Sequence, residues 1–316
     1  MATKHRLVTR SDFDGLVCGM LLREMDLIDE IKFVHPKDMQ DGKVAMGPRD
    51  ISTNLPYVAG CALAFDHHAS EMLRRRGVNH PNHVIDAHAP SAARVMYEYY
   101  GGSAAFPRIS EELMRAVDQA DSAQFTRDEI LDPQGWTLLS FLMDSRTGLG
   151  RFHEFRISNY ELMMQLIEHC RDHTADQVLA LPDVQERVDL YMSHRHSFVE
   201  QLRRCTTVHA KLALIDLRRE ETIYPGNRFT VYALFPQCDI SAHILWGLRK
   251  QNTVFAIGKS ILDRRSPVNV GTICLAYGGG GHEAAGTCQV PNKQADATRV
   301  ELTQALSEPF LEDELA

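Results

Sequence analysis

The sequence predicts an α/β protein of two domains, a parallel-sheet domain followed by a smaller α/β domain. Three features predict it. Short apolar runs of strand length alternate with helix-period stretches over the first 125 residues, the pattern of a parallel sheet covered by helices. A long polar stretch without Pro or Gly, 183–206, reads as a linking helix. Strand patterns return from residue 207. At 316 residues the chain also has the length of about two ordinary domains. The expected layout is 1–182, the linking helix 183–206, and 207–316.

The elements follow in order. Arg6-Leu7-Val8-Thr9 is a strand, and Leu16, Met20, Leu21 and Leu27 share one face of the helix after it. Residues 31–34, 61–65 and 84–85 read as further strands. Pro90 opens a helix carrying Ala93, Met96, Tyr97 and Tyr100, which Gly101-Gly102 stops. Stretches 109–122 and 156–206 are helical in pattern. Beyond them, 208–215, 229–235 and 253–257 read as strands, and 241–250 and 293–306 as helices. The acidic end, Glu312-Asp313-Glu314, reads as solvated chain.

Composition excludes several classes of function. Lys plus Arg is 34 and Asp plus Glu is 42, a net charge of −8, whereas a protein that coats duplex nucleic acid carries a basic excess. Charge leaves room for a small anionic substrate held by local cations, and a homodimer is a further expectation. No apolar run approaches the ~20 residues of a membrane span, and the N-terminus lacks the features of a signal peptide. The seven cysteines include no CxxC pair and read as reduced thiols, so a cytoplasmic setting is expected.

Three clusters carry the chemistry. Ser11-Asp12-Phe13-Asp14-Gly15 joins the first strand to its helix. Two carboxylates one residue apart at a strand end can reach one metal site, and Gly15 permits close backbone approach; an N-cap and turn use the same residue types. Asp66-His67-His68 closes another strand. Imidazole with carboxylate suits manganese, iron or zinc. Gly278-Gly279-Gly280-Gly281-His282, followed by Ala284-Ala285-Gly286, can form an anion-binding nest, with added positive field if a helix follows. Gly258-Lys259-Ser260 is no phosphate-binding P-loop, because Thr253 stands where the motif needs glycine. His194 and His196 read as surface residues of a polar helix.

Together, in this order, the clusters resemble the DHH phosphoesterase superfamily, in its form that joins a DHH domain to a DHHA1 domain, as in nanoRNases and exopolyphosphatase-related proteins. Asp12-Phe13-Asp14-Gly15 matches the first motif, Asp66-His67-His68 the naming triplet, and Gly279-Gly280-Gly281-His282 the DHHA1 loop. The resemblance implies two further aspartates. Asp50 is the best match for the one that bridges two metals, ahead of Asp38 and Asp41; Asp121 matches the other, ahead of Asp118.

The resemblance implies that Asp12, Asp14, Asp50, His67 and Asp121 hold metal, two Mn2+ ions or Mg2+ or another divalent ion in their place. His68 contacts the scissile phosphate and Asp66 orients a histidine. Arg265, with Arg264 as its neighbour, and Gly279, Gly280, Gly281 and His282 hold substrate phosphate. Many relatives carry a metal-binding His just before the first aspartate pair; here the positions are Val8, Thr9, Arg10 and Ser11, and a guanidinium cannot ligate a metal. The implied function is metal-dependent hydrolysis of phosphodiester bonds in short nucleotidic substrates by activated water. The implied partner is a small anionic phosphate compound, at most a short single-stranded oligonucleotide. The alternatives are an exopolyphosphatase or other phosphoanhydride hydrolase, and a nucleotide-binding regulatory protein of weak activity. Tyr224, Phe229, Trp246 and Tyr277 are candidates for stacking bases, and Arg74-Arg75-Arg76 for binding polyphosphate.

Overall fold

The computed structural model describes residues 3–68, 71–72, 78–152 and 154–307. Arg74-Arg75-Arg76 and the acidic end fall outside them. The chain forms two compact units, Met1–Gln124 with Pro133–Tyr191, and Phe125–Asp132 with Met192–Ala316.

The first unit begins with β1 (His5–Thr9), α1 (Phe13–Glu24), β2 (Ile28–Phe33) and α2 (Pro36–Gln40). It continues through β3 (Asp50–Thr53), β4 (Leu63–Asp66) and β5 (His83–Ile85) to α3 (Ala92–Tyr99) and α4 (Glu111–Asp121). A short α5 (Arg127–Leu131) belongs to the second unit; α6 (Gly135–Met143), α7 (Asn159–Asp172) and α8 (Ala175–Leu179) return to the first. The strands form one sheet in the order β2-β1-β3-β4-β5. Every pair in it is parallel.

Burial accounts for this sheet. Leu7, Val8, Ile51, Ala64 and Phe65 are almost wholly buried, as strands covered on both faces must be. Leu16, Val17, Met20, Leu21 and Leu22 of α1 are fully buried too. The side chain of Asp12 caps α1 by accepting from Gly15 N–H at 2.9 Å, which satisfies one orphan donor of the first turn. Thr9 and Thr53, at the carboxyl ends of β1 and β3, bond side chain to side chain at 2.7 Å.

The helix α9 (Pro182–Cys205) covers the stretch expected to be helical; the unit boundary falls inside it, between Tyr191 and Met192, rather than at its ends, and Phe125–Asp132 joins the second unit. The second unit then folds as β6 (Thr206–His209), β7 (Leu212–Asp216), α10 (Thr230–Leu234), β8 (Ile240–Trp246), β9 (Thr253–Lys259), α11 (Val270–Ala276), β10 (Gly280–His282), β11 (Ala285–Val290) and α12 (Ala295–Ser307). Its mixed sheet runs β10-β11-β9-β8-β7-β6. Among these described strands only β7 and β8 pair in parallel. Leu212, Leu214, Ile244, Phe255, Val270 and Leu302 lie in its core.

Two element assignments reverse here. Residues 229–235 form helix α10 rather than a strand, and 241–250 hold strand β8 rather than a helix. Both runs are short and apolar, and periodicity alone cannot separate a buried strand from a buried helical turn. The place of β8 between β7 and β9 decides its case.

Gly15 shows how tightly the first turn packs. A Cβ there would stand 2.1 Å from the carbonyl oxygen of Arg10 and 2.8 Å from Thr9 Oγ1. Gly15→Ala should therefore lower stability by roughly 1–3 kcal/mol, read as a shifted urea midpoint at unchanged m-value. A midpoint equal to that of the parent protein would show that the turn relaxes freely.

Candidate metal centre

The parallel sheet places its functional side chains at the carboxyl ends of the strands, where such sheets bind ligands. Asp12 and Asp14 follow β1, and Asp66, His67 and His68 end or follow β4. Asp121 comes from the last turn of α4. Asp14, His67 and Asp121 converge: one donor atom of each lies within 4.8 Å of the others.

Each member of this trio is held by backbone or by its partners. The Asp14 carboxylate accepts the N–H groups of Ala92 (3.1 Å) and Ala93 (2.8 Å), at the start of α3. The exposed donors of a helix N-terminus favour a carboxylate. His67 Nδ1 lies 3.3 Å from the carbonyl of Ala89. A carbonyl only accepts, so Nδ1 donates, and in the neutral ring the lone pair is on Nε2. Nε2 lies 2.7 Å from Asp121 Oδ2, yet it is buried and makes no hydrogen bond of acceptable geometry.

Charge is unbalanced in the centre without an ion. Burial, then the charge of Asp121, raises the Asp14 carboxyl well above the ordinary range, with His67 opposing. Burial disfavours a charged His67 ring, but Asp121, Asp14 and Asp66 outweigh it and lift its pKa to about 9. Asp121 is lowered: burial acts against this, and the close approach and charge of the His67 ring prevail. Two carboxylates and an imidazole with an orphaned, buried nitrogen form the donor set of a divalent cation. The residues fit a metal.

Asp66 and His68 form a second arrangement. Asp66 Oδ1 accepts from His67 N–H (2.8 Å), His68 N–H (3.2 Å) and His68 Nδ1 (2.7 Å). It turns the two histidines and fixes His68 with Nδ1 protonated. Asp118, one turn before Asp121, instead receives Arg94 Nε at 2.9 Å and Ser91 Oγ at 2.8 Å, tying α4 to α3.

Asp50 requires a correction. It opens β3 at its amino end, in register with Arg6 of β1. Its oxygens accept from Arg6 Nε (2.8 Å), Arg6 Nη2 (3.0 Å) and Gly47 N–H (2.8 Å). It is therefore a buried ion-pair partner at the far end of the sheet and cannot bridge ions beside His67. The residue after the carboxyl end of β3 is Asn54, whose amide lies 3.4 Å from Asp12 Oδ1. Asp38 and Asp41 pair with Lys43 at 3.3 and 3.0 Å. Asp12 also departs from expectation: its Oδ2 lies 3.0 Å from Arg10 Nε, and it stands outside the trio. Asn54 was not legible, because Asp50-Ile51-Ser52-Thr53 lacks the apolar run that would mark a strand end. Arg146, whose charge acts on Asp12 and Asp121, carried no sequence signal.

In the second unit, Gly279, Gly280, Gly281 and His282 lead into or form β10, an edge strand paired with β11. No helix follows them directly, so the expected field of a helix N-terminus is absent from this turn. The glycines serve close packing: a Cβ on Gly279 would stand 2.2 Å from the Thr287 carbonyl oxygen, and one on Gly281 2.3 Å from that of Ala285. His282 is exposed. Arg265 is exposed and bound in a fork to Asp263 at 2.8 and 2.7 Å. Of the candidate stacking residues, Phe229 is buried, Tyr277 packs on the core, Trp246 Nε1 donates to the Arg218 carbonyl at 2.8 Å, and Tyr224 lies against His194.

Neither the protein-family models nor the curated proteins contain a match to this chain. Solved structures do. A pGpG-specific phosphodiesterase, PggH from Vibrio cholerae, is 59% identical, with a TM-score of 0.84 over 96% of this chain and 99% of that one. RecJ from Thermus thermophilus, solved in complex with Mn2+, is 13% identical with a TM-score of 0.52, over 96% of this chain and 52% of its own. CDC45 from Entamoeba histolytica is 7% identical with a TM-score of 0.51, over 96% of both chains. The last two share the fold.

Two outcomes are expected. Asp50→Asn should keep bound metal and lower stability by roughly 1–3 kcal/mol, through lost partners of Arg6 and Gly47, whereas His67→Ala should lose the metal; elemental analysis with thermal melts separates them. Because His67 Nε2 carries a proton below about pH 9, metal must displace it, and apparent affinity should rise about tenfold per pH unit towards 9. Without metal the sign is opposite. A raised histidine pKa stabilises the fold at low pH, so this contribution should fade between pH 6.5 and about 9. Calorimetric metal titrations and melts across that range check both.

Proposed function

The chain belongs to the DHH phosphoesterase family, and from that premise we propose that it hydrolyses the phosphodiester bond of short linear dinucleotides of the pGpG kind. It is a hydrolase of phosphoester bonds. The observation that carries the substrate reading is the 59% identity to a pGpG-specific phosphodiesterase across nearly the whole of both chains. The net charge of −8 agrees with it: a compact dinucleotide can be held by a few local cations, whereas a duplex needs a broad basic surface.

Asp14, His67 and Asp121 hold the divalent ion, for which Mn2+ suits one imidazole and two carboxylates. When bound, such an ion makes a water nucleophilic near neutral pH and offsets charge on phosphoryl oxygens. The Ala92 and Ala93 N–H groups keep the Asp14 carboxylate in place. The Ala89 carbonyl keeps His67 Nε2 as the donor atom. Asp66 holds Nδ1 of His68, so that Nε2 of His68 exchanges the proton needed at the leaving oxygen. In the second unit His282, the strand of Gly279, Gly280 and Gly281, and Arg265 are the groups with the chemistry to bind a phosphate. The seven cysteines, all free thiols, suit a reducing cytoplasmic setting. No described helix is long and apolar enough to cross a membrane.

The test is a panel of pGpG, other dinucleotides, longer oligoribonucleotides, cyclic dinucleotides and polyphosphate, with Mn2+ and with chelator. Release of GMP from pGpG, abolished by chelation and restored by Mn2+, is the expected result. Faster attack on polyphosphate would replace the reading with a phosphoanhydride hydrolase. Binding without turnover on every substrate would make the protein a nucleotide-binding regulator. His282→Ala should lower kcat/KM by about 10–100-fold, the value of a charge-assisted hydrogen bond, and leave metal content unchanged.

A further inference from the structure

The carboxylate beside the metal-binding trio is already bound by the protein. Asp12 Oδ1 accepts from Gly15 N–H at 2.9 Å and faces the Asn54 amide at 3.4 Å. Its Oδ2 pairs with Arg10 Nε at 3.0 Å. A second dication seated on Asp12 would have to displace a guanidinium that never loses its charge. Nor does β3 bring a carboxylate there. Asn54 stands at its carboxyl end, and Asp50 is held by Arg6 at its amino end. An amide oxygen is a far weaker partner for a dication than a carboxylate.

Cationic charge is nevertheless concentrated here. Arg10 reaches solvent with 30% of its side chain exposed. Its Nε faces Asp12, which leaves the two Nη groups to meet an anion. Arg146 is 54% exposed and bonds Asp144 through Nε at 2.7 Å. The charges of both arginines act on Asp12, and both act on Asp121. One member of the trio therefore lies within the field of two guanidinium groups, and both groups are accessible to a ligand.

We propose that this centre works with one divalent ion, and that Arg10, braced by Asp12 and assisted by Arg146, takes the place of a second cation by binding a non-bridging oxygen of the scissile phosphate. Asp12 is then a positioning residue rather than a metal ligand. The guanidinium fork suits the task, since it offers two parallel donors to phosphate oxygens. This inference rests on the reading of the trio as the metal site of a phosphodiesterase.

The experiment counts ions and measures anion binding apart from turnover. Protein stripped by chelator, reloaded with Mn2+ and desalted should contain one Mn per chain by elemental analysis. Inorganic phosphate, titrated calorimetrically into the loaded protein, should bind Arg10→Gln about 10–100-fold more weakly than the parent. Arg10→Lys should recover part of the loss, because an ammonium keeps the charge and lacks the fork. Asp12→Asn should keep its Mn and weaken phosphate binding as Arg10→Gln does. Thermal melts confirm that each variant is folded, and Arg10→Lys carries the test if Arg10→Gln is not. Two Mn per chain in the parent, loss of Mn from Asp12→Asn, or unchanged phosphate binding in Arg10→Gln would each overturn the proposal. One Mn with Arg10-dependent phosphate binding, but no cleavage of any dinucleotide, supports it and overturns the substrate reading instead.

Discussion

The buried carboxylate of Asp14 is the constraint on which the first unit depends. It leaves β1 within the first turn of α1, yet its oxygens are held by the first N–H groups of α3, 78 and 79 residues further on. That pair of bonds ties the start of one helix to the start of another beneath the ends of the sheet. A carboxylate so deep is tolerable only because two backbone donors and the positive end of a helix receive it. It also brings negative charge to within reach of Asp121 and His67. The fold thus creates an electrostatic imbalance that a cation relieves.

The same constraint governs the neighbours. Asp66 directs one oxygen at three donors from the two histidines that follow it, so the triplet is a small preorganised unit rather than three independent ligands. Asp118 and Asp121 lie one turn apart on α4 but serve different ends. Asp118 braces α3 through Arg94 and Ser91, while Asp121 turns to His67. Acidic residues of one helix therefore divide between holding the scaffold and building the centre.

In the second unit the glycines are required chiefly by packing. The carbonyl oxygens of Thr287 and Ala285 occupy the space that side chains on Gly279 and Gly281 would fill. A strand without side chains presents bare backbone beside the exposed His282, a surface to which an anion can approach closely. Packing against those two carbonyls asks for glycine at both positions, which is why the run is so conspicuous in the sequence.

The sequence by itself determined the fold class, the alternation of strands and helices in the first unit, the long helix α9, and the trio's three residue types at strand or helix ends. These follow from local periodicity and from motifs, which a chain carries in its own order. It did not decide β8 against a helix or α10 against a strand, because short apolar runs take their form from the neighbours they pack against. Nor could it tell Asp50 from Asn54. Both lie within a few residues of one strand, and only the parallel register of β1 and β3 shows that one faces Arg6 at the amino end and the other faces Asp12 at the carboxyl end. Arg146 had no signal at all, since its charge matters through distance in space. Residue type and spacing are written in the chain; which charges meet is a property of the folded sheet, where a shift of four residues along a strand moves a side chain from one edge of the molecule's core to the other.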